Sequence, residues 1–440
     1  MYRVALLVRM NVIARGSTIS EKIIARAAGR TMVRPGDVVT ASVDFAYAHD
    51  SSGPRRWRPM LEELGVGLWD ESKVAIVTDH YVPAVDAASA AILKTARDFA
   101  RDYRVGHFHD MVGIVHLVVA EQGLIRPGAF VAGGDSHTPM SGAFGAYAAG
   151  YGATDMAAIA ATGETWLQVP ETIRVRLDGT LGHGVVAKDL MLHLCRTLGM
   201  ANAFRIVEFS GSVVTAMPML ERMVLCNMAA ELGAESGIVA PDAKTYAWLA
   251  AHGAPETVCD VTQALGSDAD AVYAEDHCID VGRLAPQVAA PHSPANTRAV
   301  TDFDDVAIDQ AYIGACVGAK ISDLRMAAAV LKDRRVASGV RLMVAPASAE
   351  TTRAAMAEGS LQILLDAGAI LLPSGCGACA GYGAGVLADG EVCISTTNRN
   401  FRGRMGSASA EVYLASPYSV AAAAAVGRIA DPRPMLAKAA

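Results

Sequence analysis

GAFVAGGDSHTP, residues 128–139, is an apolar run that stops at two glycines and then turns abruptly polar. The run is too short for a helix and suits a buried strand, and the DSHTP behind it suits an exposed loop at that strand's end. The same grammar recurs. KVAIV (73–77) runs into TDHY, AYIGA (311–315) into CVGAK, GAILLP (368–373) into SGCGAC, and EVCIS (391–395) into TTNRNFRGR. Helical patterns such as ISDLRMAAAVLKD follow at least two of these runs, which predicts an α/β fold. In open α/β sheets, ligands bind outside the carboxyl ends of the strands. Five strand ends that deliver Asp, His, Ser, Cys, Asn and Arg therefore predict one shared catalytic cleft.

Chain length and composition agree with that class. At 440 residues, 52% hydrophobic and 19% charged, the chain can bury several cores and is no disordered protein. The net charge of −7 argues against nucleic acid as a partner, because phosphate binding needs clustered Lys and Arg. No apolar stretch approaches the ~20 residues of a membrane span. The first residues, rich in arginine and broken by Arg9, read as a short extension, with Met10 a second candidate start. A cytoplasmic location with reduced thiols is expected. A β-rich pattern begins near residue 170, and the proline-rich stretch from 282 to 300 reads as a linker. The expected organisation is three α/β domains at 17–168, 169–287 and 300–432, with a linker at 288–299.

The chain has eight cysteines. Cys376 and Cys379 form a C-x-x-C among glycines, weak evidence alone. Cys316, at another strand end, strengthens it. Three thiolates suit an iron–sulfur cluster that leaves one iron without a protein ligand, whereas zinc would take four ligands, or three and a water. Gly375, Gly377 and Gly381 let backbone lie against a bulky group. Cys195, Cys226, Cys259, Cys278 and Cys393 read as small buried hydrophobes.

Asp79 precedes His80, and Asp135 lies two residues before His137. A carboxylate fixes the tautomer and basicity of a nearby imidazole, so such pairs are equipment for proton transfer. His116 ends a further apolar run. Asn227 and Glu231, four apart, share a helix face. Arg399, Arg402 and Arg404 can match carboxylates bidentately, a better reading than a nucleic-acid patch in an acidic chain. Together these groups imply dehydration of a hydroxy acid, or its reverse, assisted by a Lewis-acidic iron.

The long motifs GGDSHTPMSGAFGAYAAGYGATD, ERMVLCNMAAELGAESGI and GCGACAGYGAGVLADGEVCISTTNRNFRGRMG resemble the aconitase superfamily, in its 3-isopropylmalate dehydratase and homoaconitase large-subunit branch. The resemblance runs from TISEKIIARAAGR (18–30) to SPYSVAAAAAVGRI (416–429). It implies a three-domain aconitase-type α/β/α fold with a [4Fe-4S] cluster in the interdomain cleft, bound by Cys316, Cys376 and Cys379. It also implies catalytic roles for Asp79, His80, His116, Asp135, His137 and Glu231, with His80 helping to protonate the departing hydroxyl. Ser136, Asn227, Asn398, Arg399 and Arg404 then match substrate-binding positions. The family's catalytic serine sits on a swivelling domain that this branch carries on a separate small subunit, so a heteromeric partner is expected.

The implied activity is a hydro-lyase acting on a substituted malate, with 3-isopropylmalate leading and 2,3-dimethylmalate or homoaconitate chemistry as alternatives. An iron-responsive RNA-binding protein is the non-enzyme alternative, and the acidic charge counts against it. The sequence also departs from the family. Val317-Gly318-Ala319-Lys320 stands where relatives commonly read Thr-Asn-Ser/Gly-Arg, which bears on substrate choice.

Overall fold

The computed structural model describes residues 15–255 and 265–437. Cys259 and the N-terminal extension with Met10 lie outside them. The strands are β1 Val38–Ser42, β2 Phe45–His49, β3 Val74–Thr78, β4 His107–Asp110, β5 Phe130–Gly133, β6 Tyr147–Gly150 and β7 Glu164–Gln168. They continue with β8 Glu171–Asp178, β9 Arg205–Ser210, β10 Ser236–Val239 and β11 Glu275–Asp280. The last group is β12 Gln287–Ala289, β13 Thr297–Ala299, β14 Gln310–Ile313, β15 Arg341–Val344, β16 Ile370–Leu371, β17 Val392–Ser395 and β18 Glu411–Ala415.

Three main sheets result. The first, β4-β3-β2-β5-β6, is wholly parallel, and β1 and β7 form a separate antiparallel ribbon. Its central strands β2, β3 and β5 are buried at every position and mostly apolar, as strands covered on both faces require. The period of two sorts them: Phe45, Tyr47, Ala75 and Val77 face one core, while Ala46, Ala48, Val74 and Ile76 face the other. Helices Ile19–Ala27 and Pro54–Leu64 cover the second face, and the first face belongs to a core continuous with the rest of the molecule.

The second sheet, β10-β9-β8-β11, is also parallel. The third runs β13-β12-β18-β17-β14-β15-β16, with β18 to β16 parallel. All five apolar runs singled out in the sequence are strands, and each ends where its chemistry begins.

Residues 288–299 are not a linker. They carry most of β12 and all of β13, which pair antiparallel with each other, while β12 also pairs antiparallel with β18. Pro291 and Pro294 fall in the turn between the two strands, where a missing N–H costs nothing in the ladder. A second reading also changes: Cys278 is exposed on edge strand β11, where Arg176 donates to its sulfur at 3.1 Å. Cys195, Cys226 and Cys393 are fully buried, as small hydrophobes are.

Candidate active site

The first sheet supplies the proton-transfer groups. Asp50, just past β2, is fully buried and accepts three backbone N–H groups, those of Asp79 and His80 on Oδ1 and that of Tyr81 on Oδ2, each at 3.0 Å. This clamp fixes the loop after β3. Within it Asp79 Oδ1 holds His80 Nδ1 at 2.6 Å, and Asp79 Oδ2 accepts the Val115 N–H at 2.8 Å. His80 also stacks on His49, with ring centroids 3.8 Å apart. Burial would lower the pKa of His80, but the charges of Asp79, Asp50 and Asp135 raise it to about 9. Each oxygen of Asp50 and Asp79 accepts at least one of these donors, so the two carboxylates bind the loop and His80 into one hydrogen-bond network.

A second network follows β5. Asp135 Oδ1 meets His116 Nε2 at 2.8 Å and accepts the His137 N–H at 2.7 Å, and its Oδ2 lies 3.5 Å from His49 Nε2. Burial opposes its charge, yet His116, His137 and His49 hold Asp135 well below the usual carboxylate range. His137 Nε2 lies 3.0 Å from Glu231 Oε1 in the second domain. Despite burial, Glu231 and Asp135 raise His137 to about 9.

The other domains close on these networks. The helix Met219–Asn227 ends at Asn227 and passes into a tighter 3-10 turn, Met228–Leu232. Asn227 and Glu231 therefore straddle a junction rather than sharing one regular helix face. Asn227 Nδ2 donates to Cys316 Sγ at 3.2 Å, and its Oδ1 accepts from Asn398 Nδ2 at 2.6 Å. From the loop after β17, Arg399 donates through Nε to Glu231 Oε1 at 2.8 Å and through Nη1 to Ser136 Oγ at 3.0 Å. One guanidinium thus ties the loop after β17 to the loop after β5 and to the Met228–Leu232 turn. Arg402 points away, exposed, to the Ala408 carbonyl at 3.4 Å.

Cys316 follows β14, and Cys376 and Cys379 follow β16. Ala315 reaches φ +70°, a left-handed conformation that turns the chain sharply before Cys316. The N–H of Cys376 donates to the Asp79 carbonyl at 2.7 Å, tying the thiol loop to the His80 loop. Burial pushes the Cys316 thiol up to about 12. Its hydrogen bond with Cys376 holds Cys379 down to about 5, aided by Arg404 and His137.

These residues fit a group held by three thiolates. Cys376 and Cys379 sit on one tight turn, the Cys379 N–H donating to the Cys376 carbonyl at 3.2 Å, and Cys316 lies within electrostatic reach of Cys379. Two buried donors close to the cysteine pair, Arg404 Nε and the Tyr312 hydroxyl, have no partner among the described residues. A sulfur-rich anionic group would satisfy both.

The structure brings together every site residue expected from sequence: Asp79, His80, His116, Asp135, Ser136, His137, Asn227, Glu231, Cys316, Cys376, Cys379, Asn398, Arg399 and Arg404. It adds His49 and Asp50, which end another apolar run, DFAYA, and so carried the same signal as the other strand ends. It also adds Lys188, fully buried, whose Nζ donates to the Thr397 carbonyl at 2.6 Å and whose charge supports Glu231. A lysine in the first turn of an apolar helix, Ala187–Thr197, gave no such signal. Lys320 turns inward to pair with Asp323 at 2.6 Å. At Gly318 a Cβ would lie 2.2 Å from Thr396, so the backbone there packs too closely for a side chain.

The family profile described as Aconitase family (aconitate hydratase) matches residues 70–427. The 3-isopropylmalate dehydratase large subunit 1 of Methanopyrus kandleri is 44% identical over 96% of this chain and 100% of that protein. The 3-isopropylmalate dehydratase large subunit of Syntrophus aciditrophicus is 43% identical over 95% and 99%. A probable methanogen homoaconitase large subunit from Methanothermobacter thermautotrophicus is 42% identical over 94% and 97%. Among solved structures, the holo-form of Thermococcus kodakaraensis aconitase X aligns over 82% of this chain and 84% of that one, at 14% identity and a TM-score of 0.48.

Proposed function

The chain belongs to the aconitase family, and on that premise we propose that it is the large, catalytic subunit of a hydro-lyase that dehydrates and rehydrates 3-isopropylmalate. One observation carries the reading: the Cys376 N–H on the Asp79 carbonyl sets the loop with two of the three thiols directly against an Asp–His proton donor. Its cofactor is a [4Fe-4S] cluster held by Cys316, Cys376 and Cys379. When bound, that group supplies a Lewis acid that weakens the bond to a departing hydroxide.

The chain's own residues do the rest. His80, kept protonated by Asp79 up to about pH 9, gives a proton to the leaving oxygen. Asp50 holds the loop that aims it. Arg399 and Arg404 bind the substrate's carboxylates, and Glu231 and Ser136 orient Arg399. Asn227 and Asn398 steady Cys316 from two domains. Asp135 keeps His116 and His137 in fixed orientations beside them.

The base that takes the carbon-bound proton comes from a separate small subunit carrying the swivelling domain. That inference is supported by relatives named large subunits over almost the whole chain. The three domains are the units of the three sheets, and no helix among the described residues is long and apolar enough to cross a membrane. A cytoplasmic location suits reduced thiols. Homoaconitase chemistry is the second reading, since one relative bears that name.

The test is anaerobic reconstitution with the small subunit and an assay against 3-isopropylmalate, homocitrate and 2,3-dimethylmalate. Turnover of 3-isopropylmalate only with both subunits present is expected. Failure with every malate would overturn the assignment.

A further inference from the structure

Tyr312 sits near the end of β14, four residues before Cys316, and is 0% exposed. Its hydroxyl is buried without a partner among the described residues. Phenylalanine would fill the same space without stranding a polar group, so the hydroxyl there is costly unless something outside the chain accepts its proton. The geometry shows where it points. The ring folds back over Gly314, where a Cβ would come within 2.2 Å of it. At the other end, a Cβ on Gly377 would lie 3.8 Å from the hydroxyl oxygen. Gly377 is the residue between Cys376 and Cys379, and its φ of +47° bends the backbone around that spot.

The surroundings leave few rivals. Tyr312 lines a cavity of about 380 Å³ between the first and third domains, together with Ala345, Leu372, Ala378 and Tyr382. The opposite wall carries polar groups, His80, Tyr81, Asp86 and Ser89, but none of them is a hydrogen-bond partner of the Tyr312 hydroxyl. The charges that act on the phenol are those of Cys379 and Cys376, followed by Cys393.

We propose that the Tyr312 hydroxyl donates a hydrogen bond to a sulfur of the iron–sulfur group held by Cys376 and Cys379. This makes Tyr312 a positioning residue for the group rather than a catalytic one, and it rests on the cluster reading above. Donors to cluster sulfurs favour the more negatively charged, reduced state and so raise the reduction potential. Losing this donor lowers the potential and makes the group easier to oxidise.

The experiment compares the full chain with Tyr312→Phe, both reconstituted anaerobically with iron and sulfide. Four readouts are taken: iron content, midpoint potential, rate of absorbance loss in air, and melting temperature with and without the group. Equal iron content is expected, with a more negative midpoint and loss in air about fivefold faster, the scale of one net hydrogen bond. The apo variant should melt no lower than the apo wild type, while its gain in melting temperature on loading should be smaller. A loaded variant matching wild type in potential and air stability overturns the role of Tyr312 and leaves the cluster reading intact. A wild-type chain that takes up no iron and sulfide overturns both.

Discussion

The carbonyl of Asp79 accepts the N–H of Cys376 at 2.7 Å, so the loop that aims a proton donor and the loop that offers thiolates are one rigid unit. The contact depends on Gly375. A Cβ there would lie 2.7 Å from the Asp79 carbonyl oxygen, too close for any real side chain. Gly375→Ala must therefore push the two loops apart. Because misplacement by about 1 Å can cost two orders of magnitude in rate, kcat should fall tenfold or more while the protein stays folded. Steady-state kinetics with circular dichroism would check this, and wild-type kcat in a folded variant would contradict it.

His80 is held protonated by Asp79, and its charge has a pH signature. Its pKa is raised to about 9, against 6.5 for an ordinary histidine. The sign follows from linkage: stability from this pair is fully present below about pH 6.5 and is lost as pH rises through about 9. His137, also raised to about 9, acts in the same direction. In the holoenzyme the basic limb of kcat should fall near pH 9. In Asp79→Asn that limb should move toward neutrality, since the largest charge raising the pKa is gone. A pH–rate profile with an unmoved basic limb would remove His80 as the acid.

Asp50 is fully buried, and three backbone N–H groups end on its carboxylate. Asp50→Ala leaves all three without an acceptor. At about 1 kcal/mol or more each, the loss should reach about 3 kcal/mol, measured by urea unfolding. A loss under about 1 kcal/mol would mean that the loop finds its acceptors elsewhere.

Much of this site was legible because strand ends announce themselves. Apolar runs that stop at glycine and turn polar placed Asp79, His80, Asp135, His137, Cys316, Cys376 and Arg399 on one side of parallel sheets. His49 and Asp50 carried the same signature and were passed over, because no second motif drew attention to them. Lys188 and Tyr312 were illegible for a different reason. Each sits in an apolar element, and its meaning lies in what folding brings against it, the Thr397 carbonyl for Lys188 and the Gly377 loop for Tyr312. The residues 288–299 misled because prolines suggest a linker, although two short strands can be built on either side of a turn that holds them.

On the function proposed for this chain, Cys316, Cys376 and Cys379 hold an iron–sulfur group beside an Asp–His proton donor. The most direct test of this is the iron, acid-labile sulfide and zinc content per chain after anaerobic purification, for wild type and for Cys376→Ser. About four irons and about four sulfides in wild type, falling sharply in the variant, is the expected result. Colourless protein carrying about one zinc and no labile sulfide would contradict it.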